Sequence, residues 1–214
     1  MSILVIAATD MEIALLRANN PKEKYLITGV GCATTVYHLT KALLLDKYSL
    51  VIQVGIAGAF NKNQLLGETV IVEKDCFADM GLFEKKIITN LFEMGFADAD
   101  SFPFKKGFLV NSYIDRLGLK EHKIVNGISV NLISDNESYF QQLQSKYNAD
   151  IESMEGAALH YVCLHEQVPF IQIRGISNYT GERDKSKWKI KEAVESSNFL
   201  ASDIIQAVQQ KKQQ

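Results

Sequence analysis

Cysteine and proline are scarce in this sequence, with three of each among 214 residues. Cys32, Cys76 and Cys163 form no CxxC pair, and so odd and sparse a set makes a poor disulfide framework. The thiols therefore read as reduced, and the chain as cytoplasmic. The four histidines (His38, His122, His160, His165) lack metal-ligand spacing, so no metal or cofactor is expected, and His160 with His165 reads as helix surface. Neither sign of charge dominates: 23 basic residues face 25 acidic ones, which removes the electrostatic case for a nucleic-acid partner. No apolar run approaches the length of a membrane span. The short apolar run at residues 3–8 follows no basic residue and stops at Asp10 and Glu12, unlike a secretory signal.

What is present is a 47% hydrophobic chain long enough to bury a substantial core without staples. No repeat, linker or charge block divides it, so residues 1–214 read as one domain, with a polar tail at 209–214 expected to fray. Residues 3–8, 50–55, 68–72, 124–134 and 170–177 read as strands, most of them apolar on both faces, as strands covered by helices on both sides are. Residues 34–45, 138–146, 156–166 and 190–209 read as helices; the last spaces Ala193, Phe199, Leu200, Ile204, Ile205 and Val208 near helical intervals. The alternation predicts a three-layer α/β fold. Residues 77–106 are broken by Gly81, Gly95 and Pro103, which leaves a lid-like excursion or an irregular strand pair.

Ligands of α/β sheets gather beyond the carboxyl ends of strands, so the residues there are the candidates. Glu12 follows the first strand and is either a helix-dipole partner or a general base. Gly29 and Gly31 open a helix and suit a tight turn or the approach of a ribose or phosphate. Ile56, Ala57 and Gly58 let a ligand lie against backbone. Glu155, in Ser153-Met154-Glu155-Gly156, sits at a strand-to-helix junction as a cap or as a ligand contact. Arg174 lies inside an apolar strand and needs a carboxylate partner such as Glu12 or Glu155. No Ser–His–Asp arrangement accompanies a nucleophile elbow.

Glu12, Gly55-Ile56-Ala57-Gly58, Ser153-Met154-Glu155-Gly156-Ala157 and Arg174-Gly175-Ile176-Ser177-Asn178, in this order and spacing, resemble the purine nucleoside phosphorylase and nucleosidase superfamily. The likeness runs from Ile3 to about Val208. It implies a phosphorylase-like α/β fold with a central mixed twisted sheet, a small-molecule nucleoside substrate and a homodimer or higher homo-oligomer. It gives Glu12 and Arg174 the attacking water, sets Met154 and Glu155 against the ribose, and places residue 178 at the N7 edge of the purine. Breaking an N-glycosidic bond passes through an oxocarbenium-like sugar, beside which carboxylates are well placed.

Two positions depart from the methylthioadenosine/adenosylhomocysteine nucleosidases of that superfamily. Ile56 stands where they carry serine, and Asn178 where they carry aspartate. An amide donates to a 6-oxo group and accepts from N7–H, so Asn178 favours hypoxanthine or guanine over adenine. A dianionic phosphate would meet the carboxylate of Glu12, which makes water the better nucleophile. Asn178 leading into Tyr179-Thr180-Gly181-Glu182-Arg183-Asp184 and Trp188, together with Phe77-Ala78-Asp79-Met80-Gly81, resembles the futalosine hydrolases, which release hypoxanthine in menaquinone biosynthesis. That resemblance implies Arg183 or Lys185 as contacts for a carboxylated 5′ extension and Trp188 for its ring. Glu137 could accept from the purine N1–H, or be no more than an exposed helix-start carboxylate.

Overall fold

In the computed structural model, which describes residues 2–210, strand β1 (Ser2–Ala7) is buried along almost its whole length. It pairs in parallel with β2 (Lys24–Ile27) on one side and with β3 (Tyr48–Ala59) on the other. β3 also runs parallel to β10 (Phe170–Tyr179), which lies antiparallel to β4 (Thr69–Asp75). β4 is parallel to β8 (Ile124–Ser129), and β8 to β9 (Ile151–Ser153). β9 then returns antiparallel to β3 through Gly58–Glu152 and Ala59–Ile151. The mixed sheet therefore closes into a ring of β3, β10, β4, β8 and β9, from which β1 and β2 extend as an open wing. β7 (Leu109–Val110) adds to β4, while β5 (Gly81–Glu84) and β6 (Ile87–Asn90) form a separate hairpin.

Helices cover both faces of the sheet. On one, α1 (Ala14–Asn19) and α6 (Ile190–Gln210) set Leu16, Ala201, Ile204 and Ile205 against Val5, Ile52 and Ile173. On the other, α2 (Cys32–Leu45) and α5 (Gly156–His165) set Leu39, Leu43, Leu159 and Val162 against Leu4, Ile6 and Phe170. Each such side chain larger than alanine contributes about 1.5–3 kcal/mol by leaving water. α4 (Glu137–Tyr147) starts at Asn136, whose side chain accepts from the Tyr139 N–H, and ends at Asn148 in the left-handed region. The short α3 (Ile114–Leu117) and a 3₁₀ turn at Lys185–Lys187 complete the elements. α6 crosses β10 where a Cβ on Gly175 would lie 2.0 Å from the Ala193 carbonyl oxygen, so the helix sits that close only because residue 175 is bare.

The five expected strands and four expected helices are all present, with shifted ends. The strand at 124–134 stops at Ser129, because the backbone N–H groups of Asn131 and Leu132 turn to the Asp79 carboxylate instead of a neighbouring strand. The strand at 50–55 runs on to Ala59, carrying Ile56 and Gly58 into the sheet. Within 77–106 the strand pair is the outcome, turned by Lys85 and Lys86 at positive φ. His160 is fully buried, with Nδ1 at 2.9 Å from the Leu109 carbonyl, which corrects its reading as helix surface. Phe199 faces solvent, whereas Asn198, one residue earlier, is buried. The three cysteines are free and buried, and among the described residues no helix is long and apolar enough to cross a membrane. The polar tail beyond Gln210 lies outside the described residues.

Candidate active site

The carboxyl end of β1 and the ends of β3, β9 and β10 converge on one cleft, which collects residues from Ala8 to Trp188. Glu12, 6% exposed, sits in its floor. Its Oε2 accepts from the Thr9 N–H at 3.0 Å and the Thr9 hydroxyl at 2.9 Å, and its Oε1 from the Ile56 N–H at 3.2 Å. These donors lie across the carboxylate from two elements, so its orientation is fixed before any ligand arrives. The backbone of Glu12 is anchored as well. Asn198 on α6 donates from Nδ2 to the Glu12 carbonyl at 2.8 Å and accepts from the Leu16 N–H at 2.8 Å. This buried amide, silent in the apolar spacing of α6, ties the loop after β1 to the longest helix.

Glu155 faces the same cleft, 5% exposed. It occupies the N-cap position of α5 but makes no cap bond there. Its Oε1 instead accepts from the Gly31 N–H at 3.0 Å, at the start of α2, where Gly31 has φ 94°. Gly29-Val30-Gly31 is thus a turn that delivers a backbone donor to the carboxylate, with the left-handed backbone that glycine allows. Burial pushes the Glu155 carboxyl above the usual range and the nearby Glu12 charge adds to this, while Arg174 and the Gly31 N–H pull it down.

Arg174 is 1% exposed and lies behind Glu155 instead of lining the cleft. One guanidinium nitrogen is 3.6 Å from Glu155 Oε2, and the other donates to Gln53 Oε1 at 2.8 Å. A Cβ on Gly55 would sit 2.4 Å from Nη1, so the bare residue 55 makes the space for the arginine. Arg174, expected to hold the attacking water with Glu12, is buried outside the cleft lining, with its guanidinium beside Glu155 and the same Gly55 Cβ position lying 3.1 Å from Glu12 Oε1. Beside it, a Cβ on Gly156 would lie 2.2 Å from Asp75 Oδ2 and 2.1 Å from Gln172 Nε2. Burial raises the Asp75 carboxyl to about 6, against bonds from Gln172, Ser129 and the Cys76 N–H and the charge of Arg174.

Met154, Ile56, Asn178, Arg183 and Trp188 all line the cleft. Ile56 has no hydroxyl to offer, and its backbone N–H goes to Glu12. Asn178 accepts from the Ser177 hydroxyl at 2.7 Å and donates to the Tyr179 carbonyl at 3.0 Å, which leaves one N–H and one lone pair for a ligand. Trp188 donates from Nε1 to the Glu182 carbonyl, so the loop after β10 folds back on itself. Two expected contacts lie elsewhere. Glu137 is exposed at the start of α4, bonded to Gln141 four residues on, and outside the cleft; the early end of β8 turns this helix away. Lys185 lies in the exposed 3₁₀ turn, also outside it.

Glu152 is the cleft residue that the sequence did not single out. It is 8% exposed, and burial raises its carboxyl to about 7; Asp79 pushes the same way and Arg183 opposes. The signal available was its place two residues before Met154, in the short strand that leads to it. Among the described residues, no group of three or more His, Cys, Asp or Glu is arranged to hold a metal.

The family model described as the phosphorylase superfamily matches residues 17–209. Futalosine hydrolase from Thermus thermophilus is 32% identical over 178 residues, covering 79% of this chain and 75% of that protein. A futalosine hydrolase mutant from Helicobacter pylori superposes with a TM-score of 0.81 at 16% identity, over 97% of this chain and 99% of that one. The 5′-methylthioadenosine/S-adenosylhomocysteine nucleosidase of the same organism gives a TM-score of 0.80 at 15% identity, over 97% and 98%. A family match across nearly the whole chain joins the ring-closed sheet and the paired glutamates into one conclusion: this chain belongs to the phosphorylase superfamily.

Proposed function

We propose that the protein is a nucleosidase that hydrolyses the N-glycosidic bond of futalosine, a 5′-modified 6-oxopurine nucleoside, releasing hypoxanthine in menaquinone biosynthesis. The observation that carries this reading is an amide, Asn178, in the same cleft as Glu12 and Glu155. As the bond to the purine breaks, positive charge grows on the ribose and negative charge on the base. Glu155 faces the sugar and stabilises that cation through its field. Glu12 accepts a proton from the attacking water, while Met154 packs on the ribose. The proton that Glu12 takes from the water is the one the departing base needs: relayed through water to N7 it leaves the base neutral, with Asn178 Oδ1 accepting from N7–H and the Nδ2 group donating to O6.

Water suits this cleft better than phosphate. Its lining carries Glu12, Glu152, Glu155 and Glu182 against a single cation, Arg183. A dianion would be repelled, whereas Arg183 at the loop after β10 suits the carboxylate on the 5′ extension, with Trp188 beside it for the ring. Residues from Glu12 to Trp188 meet in the one cleft, which supports a single working unit over 1–214. The free, buried thiols support a reducing, cytoplasmic location. Val30 and Ile133 line the cleft yet are 54% and 40% exposed, and with the neighbouring Leu132 they support a homodimer that covers this rim.

The test is release of free base from futalosine, inosine and methylthioadenosine, with and without phosphate. Hypoxanthine from futalosine, unchanged by phosphate, is the expected result; adenine as the main product overturns it. Asn178→Asp should move the preference toward adenine nucleosides by about tenfold or more, since each mismatched buried hydrogen-bond edge costs about 1–3 kcal/mol. An unchanged preference in that variant removes residue 178 as the base reader.

A further inference from the structure

Alone among the carboxylates of the cleft lining, Glu152 has no hydrogen bond and no ion pair among the described residues. Glu12 holds Thr9 and Ile56, Glu155 holds Gly31 and Arg174, and Glu182 holds Lys187. A carboxylate 8% exposed and without a partner is costly unless something arrives to use it.

The sheet register says what that would be. Glu152 on β9 and Asn178 on β10 both pair with Gly58 of β3, so the two readers flank one bare residue in a single row across the sheet. Their backbones stand two strand spacings apart, roughly 10 Å, a gap that two side chains can fill with a flat base between them. A Cβ on Gly58 would lie 3.3 Å from Asn178 Nδ2 and 3.1 Å from Thr180 Oγ1, so the bare position leaves the floor open. Along one edge of a 6-oxopurine run N1–H, O6 and N7 in order. An amide at O6 and N7 leaves N1–H, a donor, for the next acceptor along.

We propose that Glu152 is that acceptor: it reads the protonated N1 of the base while Asn178 reads O6 and N7. This rests on the 6-oxopurine reading above and deepens it. The role moves from Glu137, which is outside the cleft, to a residue in the row of Asn178. Adenine presents a lone pair at N1, so the same carboxylate repels it, and the two readers agree on one pattern of donors and acceptors. Asp79 and Arg183 bracket Glu152 from the loops after β4 and β10, and the N1–H replaces the water its burial removed. Specificity then comes from a mismatch as much as from a match.

The experiment measures dissociation constants of free hypoxanthine and free adenine, by calorimetry, for the wild-type chain, Glu152→Gln and Glu152→Leu. Futalosine turnover is followed in parallel. The expected result is movement in opposite directions: hypoxanthine weakens about tenfold in Glu152→Leu and less in Glu152→Gln, whose oxygen still accepts from N1–H, while adenine binds more tightly, most of all to Glu152→Gln, whose amide can donate to N1. General damage to the cleft weakens both bases together. That outcome, or an unchanged ratio in both variants, overturns the proposal. Futalosine left uncleaved by the wild type overturns the proposed function instead, and the ratio of the two bases still decides the role of Glu152. Unchanged thermal midpoints show that the variants are folded.

Discussion

Glu12→Gln should lower kcat on futalosine by about a hundredfold or more, with the fold intact. Loss of a positioned general base commonly removes 10²–10⁴ of rate. Glutamine fits the same volume and still accepts from the Ile56 N–H through its oxygen. Its amide nitrogen, however, would face the Thr9 N–H, donor against donor, where Glu12 Oε2 accepts now. The local cost is about 1 kcal/mol, small beside the stability of a chain this size. Steady-state kinetics with a thermal melt on the same sample separates the two effects. A kcat within tenfold of wild type would show that Glu12 does not take the proton. Asn198 offers an independent approach to the same group, because it fixes the Glu12 backbone from α6 without entering the cleft.

The second large effect concerns stability. Gly175→Ala should cost about 3 kcal/mol and lower the thermal midpoint by several degrees. The added methyl would lie 2.0 Å from the Ala193 carbonyl oxygen and 2.5 Å from its carbon, both backbone atoms of α6. No side-chain rotation relieves such a contact; either the helix lifts or β10 bends. Because Arg174 precedes residue 175 and Asn178 follows on the same strand, activity should fall along with stability. Chemical denaturation read by circular dichroism checks this, and a midpoint equal to wild type would mean that α6 is free to shift.

The layers of the fold were readable because strands buried on both faces, such as β1 and β10, leave continuous apolar runs. What escaped was set by tertiary pairing. β2 is half exposed and short, and β9 is only three residues long, so neither carries a periodicity of its own. Closure of the ring depends on β9 reaching β3 across more than ninety residues of chain, which no local pattern announces. At the site, Glu12, Glu155 and Asn178 stand just beyond or at the ends of strands, where chain order alone makes them candidates. Arg174 was recognisable as a charge in need of a partner, but its depth follows from the bare Gly55 above it. Glu152 hid between Ile151 and Ser153 as an ordinary strand residue, and Glu137 attracted notice only by following a strand that ends five residues sooner than its sequence suggests.

A hoop of hydrogen bonds has no free edge from which to unzip, and Glu152, Gly58 and Asn178 all ride on that hoop. Glu12 hangs from the wing instead, its backbone held by one amide of a distant helix and its carboxylate touching the hoop through a single N–H, that of Ile56. As the molecule warms, the wing is the part able to loosen first. Grip on the nucleobase should therefore outlast the power to activate water, leaving a state that captures its ligand and can no longer cut it.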